Sequence, residues 1–508
     1  MRKIQIVGLA VIFSAFLLII NSCTKDFEDI NTDPNNAGLD KASPSMLLTS
    51  AIESMTDRVQ EIFLGEEMGN CWAQHEAKVQ YTDEDRYIPR VTVINNTWAS
   101  FYAASGMDIK VLYDVAVSRQ NENYRGVAIV LRSYISSVLT DLHGPVPYTE
   151  AWQGTLNTLP KYDSQEFIYR DIIAQLDTAN AILTVDGDAI EGDILYNNDI
   201  LKWKKFANSL RMRLLLRMSA RDEAFVTTEL TKMVSDPDTY PIFVDNTDNA
   251  ALAYLGSAPN NHPINENRKT RDDHRISKTL IDQMWAESPY VDWRVALYAE
   301  LDGNNTYEGL PNGLTSAKAA AYNGNGLKYT SKLGVYFTEA TAPGMLMSYA
   351  ELQFILAEAA FKNYISGDAE AFYYAGIYGS YAQFGDALVE AADHNIGIPD
   401  PSWTSDSLAA DFIANDVFGW DETKGMELIA TQRWTATFDQ GLQSWFEWRR
   451  TGFPILVPAE DGMNNGKIPV RVSYPTDEAA RNPSKLAEAV TLLGGPDDLN
   501  TRVWWDVD

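Results

Sequence analysis

Glu351 and Glu358 lie in YAELQFILAEAA (349–360), where they would share one face of a helix. Paired acids are the machinery of glycoside hydrolysis, but two helical turns place these roughly 10 Å apart along the axis. That is too far for a retaining pair and marginal for an inverting one, so ion-paired or surface acids are expected. In GNCWAQH (69–75), Cys71 precedes Trp72 and lies one helical turn before His75. A nucleophilic thiol needs an accessible, electropositive setting; this apolar context favours a buried, inert one. The five histidines, His75, His143, His262, His274 and His394, contain no pair at zinc-ligand spacing. DGDAIEGD (186–193) and DNTDN (245–249) miss the calcium-loop spacing. They read as solvated turns, with a structural calcium ion as the alternative. No phosphate-cradling glycine loop and no GxSxG elbow occurs. No catalytic residue, metal site or cofactor is therefore assigned.

Aromatic side chains can stack on ligands. Trp434, Phe438, Gly441, Trp445 and Trp448 fall within about 40° of one line at 100° per residue, the pattern of a core stripe. Those outside helical periodicity, Tyr81, Tyr87, Tyr254, Tyr307, Tyr329, Tyr336, Trp403 and Trp420, are expected to be free for binding. The basic run KWKKFANSLRMRLLLR (202–217) brings together Lys202, Lys204, Lys205, Arg211, Arg213 and Arg217. In a chain with 70 acidic residues, its simplest partners are carboxylates.

The elements that position these groups read as mainly α. Ser43-Pro44 gives a cap and a first helical proline, followed by Leu48, Ile52, Met55, Val59 and Ile62 at helical spacing. Asp163 with Glu166 forms a capping-box-like start ahead of Ile168, Ile172, Leu176, Ala179 and Leu183. Residues 349–377 read as a helix pair about Gly367-Asp368, with Ala357, Ala359 and Ala360 permitting close packing, as in tetratricopeptide-like units. Strand-like alternation is short, in RYIPRVTV (86–93) and KIPVRVSYP (467–475). Long loops fall at 74–97, 184–200, 241–275, 302–347 and 391–421, and loops of such length are often functional.

The chain opens with Arg2-Lys3 and an apolar run from Ile4 to Ile20, slightly short of the ~20 residues that span a bilayer. This is the pattern of a secretory signal, with an N-terminal membrane anchor as the alternative. Ile20-Asn21-Ser22-Cys23 resembles a bacterial lipobox, which implies cleavage before Cys23 and lipidation of its thiol. Asp26, Glu28 and Asp29 behind it resemble a surface-export signal of outer-membrane lipoproteins. Residues 1–22 are thus read as signal peptide, 23–42 as lipidated tether and 43–508 as one globular unit. Once Cys23 is lipidated only Cys71 remains, so no disulfide framework is available. With 45% hydrophobic residues the composition is globular, and a net charge of −29 excludes nucleic acid as a partner.

Several stretches together resemble the SusD/RagB family of nutrient-binding outer-membrane lipoproteins, in particular its SusD-like subgroup. They are CTKDFEDINTDPN (23–35), LRSYISSVLTDLHGPVPYTEA (131–151), WKKFANSLRMRLLLRMS (203–219), YEGLPNG (307–313) and SYAELQFILAEAA (348–360). TQRWTATFDQGLQSWFEWRRTGFP (431–454), RVSYPTDEAARN (471–482) and VWWD (503–506) complete the set. Where the family commonly carries Asp-Pro-Arg, this chain has Asp292-Trp293-Arg294. The resemblance implies a non-enzymatic protein of tetratricopeptide-like helix pairs packed against an irregular, loop-rich portion with few short strands. It also implies a lid on a SusC-like TonB-dependent transporter, capturing oligosaccharides or other oligomers such as peptides. The loops after the first long helix and before the YAEL helix then become the expected ligand face: Gln74, Tyr81, Asp83, Arg86 and Tyr87, with Asn260, Asn261, His262 and Arg268. Asp85 joins Asp83 as an expected acceptor for hydroxyls. An exported glycan hydrolase and a ligand-free structural subunit of the transporter are the competing readings.

Overall fold

Apolar residues at helical spacing set the architecture of the computed structural model, which describes residues 39, 41–285, 291–414 and 417–507. The signal segment, Cys23 and nearly all of the tether lie outside the described residues. Helices of nine residues or more are α1 (Pro44–Gln60), α2 (Val91–Ala99), α3 (Ser105–Arg119), α4 (Glu122–His143), α5 (Gln165–Ile182), α6 (Ile200–Arg217) and α7 (Glu223–Ser235). They continue with α8 (Tyr349–Phe361), α9 (Ala369–Ala382), α10 (Gly385–Asn395), α11 (Ser405–Ile413), α12 (Gly425–Ala436), α13 (Gly441–Thr451) and α14 (Pro483–Leu493). A π-helical segment, Ile62–Asn70, follows α1. Among the described residues, six short strands form three antiparallel pairs: β1 (Glu76–Lys78) with β5 (His274–Ile276), β2 (Val146–Pro147) with β3 (Tyr162–Asp163), and β4 (Ala250–Ala253) with β6 (Pro343–Met347).

Neighbouring helices pack as pairs, α4 on α5, α5 on α6 and α8 on α9. α4 is nearly all buried; Asn121 caps it by accepting from the Tyr124 amide at 2.9 Å, and Gly144 ends it at φ 86°. The cap of α5 is Ser164, and Asp163 instead accepts from the Thr149 amide and hydroxyl at 2.7 and 2.8 Å. The 349–377 pair forms as expected. Gly376 and Gly379 of α9 let it approach α8, because a Cβ there would lie 2.7 Å from Phe354 and 2.9 Å from Tyr349.

Neither expected strand forms. Pro89-Arg90 leads directly into α2, and the 467–475 backbone is drawn to other elements: Val472 N–H donates to Leu142 and Val470 N–H to Leu499, each at 2.9 Å. The aromatic stripe is core, although a break between α12 and α13 divides it. Trp434, Phe438 and Trp445 are buried and Trp448 half-buried. Trp445 meets Trp72 edge-on at 5.0 Å and donates to the Pro469 carbonyl at 2.8 Å.

Charge runs through this core. Asp141 of α4 receives Arg217 of α6 at 2.6 Å, and Arg217 also holds Glu447 of α13 at 2.6 Å. Arg433 of α12 bridges Glu447 at 2.9 Å and Glu351 of α8 at 2.8 Å, and Glu351 also binds Arg213 of α6. Arg450 continues the chain from Glu447 to Glu358, which Lys362 approaches at 2.8 Å. Glu351 and Glu358 are thus ion-paired in the interior, and the basic helix meets acids as expected. Burial alone would raise the Glu358 carboxyl; Arg450 and Lys362 outweigh it and hold the pKa at about 2, below its ordinary 4.5.

A depressed carboxylate stabilises the fold above its unfolded pKa, and that contribution is lost as pH falls through the folded one. Urea denaturation should therefore show Glu358→Gln destabilised by about 3–5 kcal/mol at pH 7, because Lys362 loses its carboxylate and Arg450 keeps only Glu447. The gap to wild type should narrow between pH 4.5 and 2. A gap independent of pH across that window would show that the pair does not act as described.

Candidate functional site

The β1–β5 pair sets Lys78 opposite His274 and Glu76 opposite Ile276, bringing the loop after the π-helical segment beside residues 271–276. The first expected segment thus meets the chain just after the second, at residues 271–276. At their junction Tyr81 is 56% exposed with φ 52°, and the Arg271 guanidinium lies 4.3 Å from its ring centroid. Asp83 is exposed, and its carbonyl closes the loop by accepting from the Ile88 amide at 2.8 Å. Arg86 is half-buried and donates to the Asp461 carbonyl at 3.1 Å. Arg268, also half-buried, holds Asp272 at 2.9 Å.

The other expected contacts face inward. Tyr87 is buried at φ 68°, and its hydroxyl accepts from the Ala459 amide at 2.8 Å. Asp85 is buried, accepting from Asn312 at 2.8 Å and from the Gly313 amide at 2.9 Å; burial raises its pKa to about 6 against those bonds. Gln74 is buried, accepting from Thr279 at 2.6 Å and donating to the Val457 carbonyl. His262 is fully buried against Tyr254 at 4.9 Å, and burial lowers its pKa to about 4. Asn261 is buried and bonded to Asn265 and Glu266, while half-buried Asn260 donates to Glu53. These are loop-building contacts, so the expected surface shrinks to Tyr81, Asp83, Arg86 and Arg268, with Arg271 added. Of the aromatic residues expected to be free, Tyr254 and Tyr307 are also buried, and Tyr329, Tyr336, Trp403 and Trp420 are half-buried.

Sequence reasoning missed a cleft of about 500 Å³ between Thr279, Phe418, Trp434, Phe453, Ile455 and Val457. Gln74 ties Thr279 to Val457 at its edge. The available signal was FPILVP (453–458), whose Ile455 and Val457 stand 75% and 68% exposed. Other reactive candidates are quiet. Burial lifts the Cys71 thiol well above its ordinary value, and His75 is buried with its pKa lowered to about 3. Asp193 accepts from the amides of Leu195, Tyr196 and Asn198, and Asp248 pairs with Lys205 at 2.8 Å. The acidic runs are thus turns with protein donors. Metal-compatible groupings occur elsewhere among the described residues, as Glu66, Glu76 and His274 and as Glu67, Asp273 and His274.

A SusD-like family profile described as "Starch-binding associating with outer membrane" matches residues 34–475, and the chain belongs to that family. Among solved structures it is similar to a chitin-binding protein at 26% identity and TM-score 0.78, covering 92% of this chain and 100% of that one. A chitin-binding SusD homolog from Flavobacterium johnsoniae gives 24% identity and TM-score 0.76, covering 92% and 98%. A SusD homolog from Bacteroides fragilis gives 23% and 0.74, covering 92% and 99%. No curated protein matches the sequence. No helix among the described residues is long and apolar enough to cross a membrane.

Tyr81 and Tyr87 now separate cleanly. Tyr81→Ala should leave the melting temperature within about 2 °C of wild type, as for a surface change. Tyr87→Ala should cost about 3–5 kcal/mol, as for truncation of a core aromatic. Differential scanning calorimetry reads both, and equal melting temperatures for the two variants would contradict the placement of Tyr87.

Proposed function

We propose that this protein is a lipid-anchored binding subunit of the outer membrane. It captures a glycan oligomer at the Tyr81 face and delivers it to a partner TonB-dependent transporter of the SusC type. The observation that carries the reading is Tyr81: a ring held in place by Arg271 yet more than half exposed, on a loop fixed from below by buried Asp85 and Tyr87. Sugar rings present apolar C–H faces that stack on an aromatic ring, while their hydroxyls need donors and acceptors. Asp83 can accept from hydroxyls, and Arg86, Arg268 and Arg271 can donate. Family membership supports glycan as the ligand class. The chitin-binding neighbour at 26% identity makes N-acetylglucosamine oligomers the first probe. Anchoring through Cys23 rests on the lipobox resemblance. Binding without turnover is the proposed chemistry; the pair weighed for hydrolysis, Glu351 and Glu358, is committed to internal ion pairs.

The test is calorimetric titration with chitin and starch oligomers, with chromatography of the ligand afterwards. Saturable binding of one of them, intact ligand and at least a tenfold loss in Tyr81→Ala (about 1.4 kcal/mol) are expected. Shortened products would favour a hydrolase. Wild-type affinity in the variant would move the site, with the 500 Å³ cleft next in line.

A further inference from the structure

Next to the β1–β5 pair, three carboxylates meet in the interior around a single imidazole, that of His274, which they share with Glu67. Glu66 and Asn70 come from the π-helical segment, Glu76 from β1, His274 from β5 and Asp439 from the break between α12 and α13. Glu66, Glu76, Asn70 and His274 are each no more than 4% exposed, and Asp439 is 8% exposed. The facing donor atoms of Glu66, Glu76 and His274 lie within 4.8 Å of one another. Asn70 donates to Glu66 at 2.8 Å, and His274 Nδ1 meets Glu76 at 2.7 Å. These bonds leave Glu76 Oε1, Asn70 Oδ1 and Asp439 Oδ1 buried with no hydrogen-bond partner, while His274 Nε2 points the other way, 3.7 Å from Glu67.

The neighbouring group shows how the interior otherwise treats such charges. Glu67 and Asp273, on the other side of the same imidazole, share the ammonium of Lys78, which lies 2.9 Å from Asp273. Arg268 is bonded to Asp272 instead. An unpaired buried charge is strongly unfavourable; the first group has only the shared His274 imidazole for three carboxylates, where the second has Lys78 as well. A cavity of about 10 Å³ adjoins the group, lined by Glu66, His274, Asp273, Asn267 and Arg268 but not by Glu76 or Asp439. That is close to the space one water-sized occupant needs.

The geometry points to a structural metal site in which Glu66, Glu76 and His274 bind one divalent cation, with Asp439 and Asn70 beside it. A set of carboxylates with one imidazole suits zinc, which takes oxygen and nitrogen ligands in four-coordinate sites. Binding there would tie the π-helical segment to the β1–β5 pair and so stiffen the support of Tyr81 and Arg271. It involves no ligand turnover and does not depend on the identity of the glycan.

The test uses the mature chain stripped with chelator, then equilibrated separately with Zn²⁺ or Ca²⁺ and desalted. Elemental analysis should find about one zinc per chain, with a melting temperature several degrees above the stripped protein. Glu76→Gln and His274→Gln should lose both effects. Should either variant fail to fold, anomalous diffraction from the wild-type zinc form decides, with a peak expected between Glu66, Glu76 and His274. Retention of calcium instead of zinc, a peak elsewhere, or a chain that keeps no metal because the carboxylates hold only protons would each overturn the assignment.

Discussion

The structure depends on a buried chain of alternating charges. Four arginines (Arg213, Arg217, Arg433, Arg450) and four carboxylates (Asp141, Glu351, Glu358, Glu447) link α4, α6, α8, α12 and α13, helices far apart in sequence. A hydrophobic interior alone tolerates many packings. A guanidinium with planar donors accepts few, because each misplaced bond leaves charge stranded away from water. The network thereby fixes which helix faces which. Asp141 also accepts from Tyr169 and from Trp505 near the C-terminus, both at 2.6 Å, extending the same constraint to the last turn of chain.

With the helices locked, the loops can carry function. The Tyr81 loop has little regular structure, yet its backbone is held by Asp85, by Tyr87 on Ala459 and by Trp72, which donates to the Glu84 carbonyl at 2.9 Å. An exposed side chain on a loop pinned from beneath loses less entropy on binding than one on a free loop.

What the sequence made legible follows from the range of the interactions involved. The α8–α9 pair was readable because its apolar faces and the Gly367-Asp368 turn are local signals. The pairing of the basic helix with acids was readable from charge balance, but the identities of Glu351, Glu447 and Asp141 as its partners were not. For the proposed ligand face, the exposure of Tyr81 and Asp83 agrees with the sequence reading, whereas Tyr87, Gln74 and His262 lie in the interior. Tyr87 is buried by contact with Ala459, 372 residues away, and Gln74 by bonds to Thr279 and Val457. No local pattern encodes such contacts. The cleft beside Trp434 was missed for the same reason, since its walls come from four separate stretches of chain. Arg271 was overlooked because an arginine beside a tyrosine in space is not beside it in sequence.

The central claim is that a rigid helical body presents glycan to a solvent-facing aromatic loop without cutting it. Diffraction from crystals soaked with a chitin hexamer tests it most directly. The account predicts an intact oligomer with a sugar ring stacked on Tyr81 and hydroxyls near Asp83, Arg86 and Arg271. Density for the oligomer confined to the Trp434 cleft, or a cleaved product beside a carboxylate pair, would contradict it.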